Sequence, residues 1–231
     1  MRRWRRFVNG SPMTITLVTI NVLVFLWMVF RYQLPAVSLN STFSGQALLE
    51  AGARYTPLIQ AGQWWRLFTP MFIHMSVMHI GLNMVVLYFL GVQIESLFGH
   101  WRMLVIYVVS GFTGNAWSAA FQPHTLSAGA STSIFGLFGA FIILGIIERA
   151  NPYLRQVARQ FGLLVVLNLV FDLFSAGVDI WGHIGGLLGG FVVAMILWVP
   201  ANHSYRRLPI WWRGLGVIGL GAVSAVLLLI M

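Results

Sequence analysis

The chain reads as long apolar runs separated by short polar breaks. Apolar residues dominate 13–30, 79–98, 103–121, 131–147, 161–174, 181–199 and 215–231. A helix needs about 20 such residues to cross the hydrocarbon core of a bilayer, so the pattern predicts about seven membrane helices, the fifth somewhat short. Turn-forming residues punctuate the runs: Asn9-Gly10-Ser11-Pro12 before the first, Gly99-His100-Trp101-Arg102 after the second, Gln122-Pro123-His124-Thr125 after the third. Residues 148–160 and 200–213 form polar, basic connectors, and 175–180 a turn. The longest break, 31–66, carries apolar islands at 47–49 and 55–59 that predict short pieces lying at the membrane surface, with Trp64-Trp65 in the interfacial aromatic belt. The fold class expected is all-α, a polytopic membrane helix bundle.

Composition agrees and removes other classes. Of 231 residues, 58% are hydrophobic and 8% charged, which a soluble domain with a polar surface does not match. The formal charge of +9 comes from arginine, with no lysine, and suggests nucleic acid until its distribution is read. Arg2, Arg3, Arg5 and Arg6 cluster, as do Arg149, Arg155 and Arg159, and Arg206, Arg207 and Arg213, each beside an apolar run. Such clusters anchor a membrane protein on its cytoplasmic side, and no nucleic-acid partner is expected. With the N-terminus inside, every inside loop is arginine-bearing, and the second, fourth and sixth spans descend from the outer face. The run at 13–30 is long for a signal sequence and no small-residue cleavage site follows it, so it is read as a retained first helix. Cysteine is absent, which leaves no disulfide framework and no thiolate metal site.

That orientation puts His79, Ser131 and His183 in the first turns of three descending helices, at one depth near the outer side. A serine hydroxyl becomes a nucleophile when a base accepts its proton, and imidazole titrates in the range that allows this. Ser131 follows Gly129 and precedes Gly136 and Gly139, while His183 stands in GHIGGLLGG with Gly186 three residues on. Small residues of this kind permit close helix approach, which a short serine-to-histidine distance requires. Asp179 lies in the loop and Asp172 in the preceding span, so no carboxylate is placed to orient His183 and a dyad is expected rather than a triad. His79 and Asn83 are four apart on one helix face, where both can donate to a developing oxyanion together with the Ser131 backbone N–H. His74 falls just before this helix, placed to fasten the loop to the site. Each residue also has a plainer reading: Ser131 as a packing hydroxyl, His183 as an interhelical hydrogen-bonder, His79 with Asn83 as a clamp. His74, His79 and His183 make a zinc site conceivable, yet HExxH is absent and no acidic base lies near, so neither metal nor cofactor is expected.

Taken together, these residues resemble the rhomboid family of intramembrane serine proteases. The family's GxSx motif matches Gly129-Ala130-Ser131-Thr132, and its histidine in a glycine-rich helix matches His183 within Gly182-His183-Ile184-Gly185-Gly186. Its HxxxxHxxxN pattern matches His74, His79 and Asn83. The resemblance covers roughly 13–199. It implies Ser131 as nucleophile, His183 as base, His79 and Asn83 at the oxyanion site, and Phe135 as the aromatic ring packed on the histidine. It further implies a Trp-Arg pair of the first loop in Trp65-Arg66, and in Glu95 the acidic residue that ties that loop region to the core. The first loop resembles the family's membrane-embedded loop and the fifth span its mobile gate. A glycine commonly follows the serine in the family, where Thr132 stands here, which bears on how the site accepts substrate. The implied organisation is a basic cytoplasmic tail over 1–12, a six-helix rhomboid-like catalytic core over 13–199, and a basic connector with an added seventh helix over 200–231. The implied activity is a serine endopeptidase acting on single-span or other transmembrane proteins within the lipid bilayer of a bacterial plasma (inner) membrane. The alternative is a catalytically silent rhomboid-like protein that binds client membrane helices; loss of Ser131 or His183 would favour it.

Overall fold

A computed structural model describes residues 10–33, 41–175, 177–198 and 209–230, the last nine as backbone. The helices are α1 (Pro12–Tyr32), α2 (Gly45–Ala51), α3 (Thr56–Gln60), α4 (Val77–Phe98), α5 (His100–Phe121), α6 (Ser131–Ile147), α7 (Pro152–Phe174), α8 (Ile180–Leu197) and α9 (Ile210–Ile230), with 3-10 turns at Trp64–Leu67 and Thr69–Phe72. Among the described residues, α1, α4, α5, α7 and α8 are long and apolar enough to cross a membrane, and α6 is an apolar helix of 17 residues. The protein is therefore an all-α, multi-pass membrane bundle, with five such helices where about seven were expected. The basic cluster at 2–6, and Arg206 and Arg207, lie outside the described residues.

The bundle is apolar outside and partly polar within. Leu23, Phe30, Leu82, Phe89 and Leu163 are exposed, whereas Ser110, Thr113, Asn115, Ser118 and Ser133 are buried. Lipid tails are as apolar as leucine, so burying leucine against another helix gains little there, and close contact and hydrogen bonds hold the helices instead. The central packing is α6 against α8 and α5 against α8, with α4 and α7 flanking α6, α1 resting on α4, and α9 on α8. Glycine permits the tightest of these contacts: a Cβ on Gly186 would collide with the Thr132 carbonyl, and one on Gly190 with the Gly136 backbone. A threonine after Ser131 is accommodated by the same means, since Thr132 packs over Gly114, where a Cβ would stand 2.8 Å from that of Thr132.

Two expectations change, and the first loop packs closely on the bundle: Ala47 and Leu48 belong to the main core, and Thr56 and Ile59 are buried. Arg54 is 0% exposed and stitches the loop to the bundle, its guanidinium donating to Gln122 O (2.7 Å) and Ser118 Oγ (2.5 Å). The polar stretch at 148–160 is mostly helix, because Asn151 Oδ1 accepts from the backbone N–H of Tyr153 and Leu154 while Pro152 opens the first turn. The fifth span is accordingly 23 residues long. Glu95 binds the start of α1 rather than the first loop: its carboxylate accepts from Met13 N (2.9 Å), Thr14 N (2.7 Å) and Thr14 Oγ1 (2.6 Å), and lies 2.5 Å from His100 Nδ1. Sixteen residues of helix separate it from His79, a rise of about 24 Å.

Gly190→Val meets backbone with nothing free to yield, so it is expected to cost on the order of 3 kcal/mol, the upper end for overpacking. Gly162 has nothing within 4 Å of a built Cβ, so Gly162→Ala should be neutral or gain up to about 1 kcal/mol of helix propensity. Unfolding temperatures of both variants in one detergent check this, and equal effects would refute the close-approach account.

Candidate active site

Ser131 is the first residue of α6, and the segment leading into it is fixed by backbone contacts. Ser127 and Arg54 exchange backbone hydrogen bonds (2.8 and 3.1 Å), and Gly129 N–H donates to Pro70 O (2.9 Å). Gly129 adopts φ 144°, which disfavours L side chains, and a Cβ there would stand 2.8 Å from His79 Cε1. The glycine thus lets the His79 ring lie beside Ser131. Ala130 N–H points at His74 Nε2 (3.4 Å), and the His74 and His79 rings meet edge to face at 5.2 Å. His74 is fully buried and braces the loop under the serine.

His183 lies in the first turn of α8, whose start is capped by Asp179. One Asp179 oxygen accepts from Gly182 N–H (2.9 Å), and the other accepts from Ser118 Oγ (2.5 Å) and lies 3.7 Å from Arg54. This network sets the depth of the histidine, which reaches Ser131: His183 Nε2 and Ser131 Oγ are 2.9 Å apart. The Phe135 ring, one turn below the serine, stacks on the imidazole at 4.2 Å and 6°. The other ring nitrogen, Nδ1, is 2.6 Å from Asp172 Oδ2. A dyad without a carboxylate was expected; the structure brings Asp172 to the histidine because the short connection between α7 and α8 folds the end of one beside the start of the other.

The remaining donors gather nearby. Met75 N–H donates to His79 Nδ1 (3.4 Å), which leaves the ring proton on Nε2, the nitrogen that a Cβ on Gly129 would approach to 2.9 Å. Asn83 spends one amide hydrogen on His79 O (2.8 Å) and retains the other. Both line, with Ser131 and His183, a cleft of about 550 Å³ whose other walls include Met75, Phe138 and Asn168. The ring nitrogens His74 Nε2, His79 Nδ1 and both of His183 are committed to these contacts, and among the described residues no group of three or more His, Asp or Glu is placed to hold a metal ion. Arg66 and Trp65 stand further off: Arg66 is buried and donates to Leu49 O and Ala53 O (both 2.8 Å), so it organises the first loop, while Trp65 is exposed against Trp64. Gly186 acts through the α6–α8 contact already described. Sequence reasoning set Asp172 aside and did not single out Arg54; Arg54 lies 64 residues from Ser118, whereas Asp172, 11 residues before His183, carried a signal as an ionisable group in an apolar span.

A family model described as Rhomboid domain matches residues 61–200. Rhomboid protease GluP of Bacillus subtilis (strain 168) is 34% identical over 202 residues, which cover 87% of this chain and 38% of that protein. Rhomboid-like protease 1 of Toxoplasma gondii is 36% identical over 184 residues, covering 75% and 60% respectively, and Rhomboid-like protease 3 of the same organism 32% identical over 187, covering 80% and 69%. The chain thus spans well under half the length of the Bacillus relative.

His74, in the loop before α4, gives the site a pH dependence. Burial pushes its imidazole from 6.5 down to about 3, with the nearby His79 adding to the effect. Below 6.5 the unfolded chain takes a proton there and the folded chain does not, so stability present above 6.5 is lost as pH falls toward 3, by about 1.4 kcal/mol per unit. His74→Gln should flatten the dependence of unfolding free energy on pH by one proton over this window. A variant retaining the full slope would exclude His74 as its source.

Proposed function

Because this chain belongs to the rhomboid family, we propose that it is an intramembrane serine endopeptidase that cleaves transmembrane proteins through Ser131 and His183. The observation that carries this reading is the 2.9 Å contact between His183 Nε2 and Ser131 Oγ inside a membrane bundle. Ser131 Oγ attacks the peptide carbonyl as His183 takes its proton; the proton passes to the leaving amine as the C–N bond breaks, and water hydrolyses the resulting ester by the same route. The oxyanion falls to His79 Nε2–H, the free Asn83 amide hydrogen and the Ser131 N–H, which belongs to the first turn of α6 and has no acceptor within the helix. Phe135 keeps the imidazole plane fixed, and His74 supports the loop. Intact Ser131 and His183 argue against the silent, helix-binding alternative.

The organisation that goes with this reading is a basic cytoplasmic tail over 1–12, a six-helix catalytic core over 13–199, and a connector with a seventh helix over 200–231. The arginine-rich side faces the cytoplasm of a plasma or inner membrane, and the site opens toward the outer face, from which water enters. Substrates are single-span or other membrane proteins with small or helix-weakening residues near the cleaved bond, since an intact helix keeps its carbonyls bonded. The orientation predicts that a reporter at 122–125 is accessible from outside and one at 148–151 from the cytoplasm. The reverse pattern would put the site on the inner side.

Cleavage of a reconstituted transmembrane substrate tests the chemistry. Ser131→Ala and His183→Ala should each remove nearly all turnover, and the double variant should be little worse than either, because neither residue alone offers the acyl-transfer route. Asn83→Ala should slow turnover by up to about 10²–10³-fold while leaving Ser131 open to a serine-directed reagent. Substantial proteolysis by purified Ser131→Ala, with contaminants excluded, would sink the mechanism.

A further inference from the structure

We propose that Asp172 is the positioning residue for His183, and that the site is complete only while the last turns of α7 lie against α8. This rests on the reading of Ser131 and His183 as a catalytic pair. The carboxylate is 2.6 Å from His183 Nδ1, and each side chain is 10% exposed. A carboxylate at Nδ1 holds the ring proton there, which makes Nε2 the lone-pair nitrogen that faces Ser131. Imidazole without such a partner divides between two tautomers, one of which presents N–H to the serine and cannot accept its proton. During acylation the proton moves from Ser131 Oγ to His183 Nε2 as the Oγ–C bond forms, then to the amine nitrogen as the C–N bond breaks. Asp172 stays ionised throughout, accepts the Nδ1–H, and offsets the imidazolium charge.

The other groups facing His183 do not take this role. Asp179, at the head of the same helix, is committed to Gly182 N–H, Ser118 Oγ and Arg54. From α6 come Ser131 at Nε2 and the Phe135 ring, and from α4 comes His79, whose Nδ1 is taken by Met75 N–H. The carboxylate that serves the ring therefore belongs to α7, the least enclosed of the five long apolar spans. Only Leu154, Val157 and Val165 of α7 are buried. Its aromatic anchor is Phe161, set against Phe138 (5.3 Å) and Phe141 (4.9 Å) of α6. Asp172 lies about 16 Å beyond that anchor along the helix, in a segment where Phe171, Leu173 and Phe174 are exposed and the helix meets α8 only briefly. Swinging this end outward would leave the Ser131–His183 contact in place and break the one to Asp172. The position of α7 thus sets whether the histidine is held in the tautomer that the serine needs.

The test uses the full chain in detergent and in bilayers, with a fluorophosphonate reporting Ser131 reactivity without the need to admit a membrane substrate. Asp172→Asn should lower the labelling rate and kcat by roughly 10²–10⁴-fold, with KM for a transmembrane reporter little changed. Asp172→Glu should recover part of the rate, and unfolding temperatures identify any variant that is simply misfolded. Phe161→Ala, which loosens the anchor of α7, should slow labelling in the native background and add little to Asp172→Asn. Native-like labelling in Asp172→Asn would overturn the proposal, as would faster cleavage, which marks Asp172 as a mere latch on α7. Equal losses from Phe161→Ala in both backgrounds would overturn the dependence on α7. If the unaltered protein fails to label at Ser131, the protease reading itself falls, and the proposal with it.

Discussion

The structure depends on two helices approaching until their backbones touch. Gly186 and Gly190 of α8 meet Thr132 O and the Gly136 backbone of α6 where no side chain fits between them. Only at that separation do a histidine in the first turn of one helix and a serine opening the other come within 2.9 Å. In water such a contact would forgo the burial of large apolar side chains, but in lipid little is lost, because leucine gains nothing by leaving one hydrocarbon for another. The membrane makes the short serine-to-histidine distance attainable with two plain helices.

The same solvent explains where the polar groups went. Arg54, Ser118 and Asp179 form a chain of contacts from the first loop through α5 to the head of α8, and Asn115 Nδ2 donates to Leu67 O at 3.0 Å. Buried away from water, each such group finds a protein partner or costs several kcal/mol. Satisfying them ties an irregular 33-residue stretch, 41–73, to the bundle beside the site, and places Arg54 in the interior. A Ser131 held by this loop on one side and a His183 capped by Asp179 on the other are located by polar bonds, with packing supplying the rigidity.

Much of this was legible from residue order. The start of α6 at Ser131, the common depth of His79, Ser131 and His183, and the glycine stripe follow from apolar run lengths and small-residue spacing, which a membrane constrains tightly. Asp172 was not legible, because two residues 11 apart on successive helices meet or miss according to the geometry of one short turn. The early start of α7 was hidden by its polar first turns, although Asn151-Pro152 is a helix-opening pair. Glu95 was assigned to the wrong end of α4, since an acidic residue late in a span gives no sign of which neighbour it caps.

Glu95 also bears on the order in which the protein is assembled. Its carboxylate satisfies the first backbone N–H groups of α1, yet it is 81 residues downstream of Thr14. A chain made from its N-terminus therefore delivers α1 to the bilayer before the group that caps it exists. Until α4 has been synthesised and inserted, the start of α1 must draw on water or headgroups for its hydrogen bonds. The start of α1 is thus completed by a residue of α4, which precedes in the chain the helices carrying Ser131 and His183.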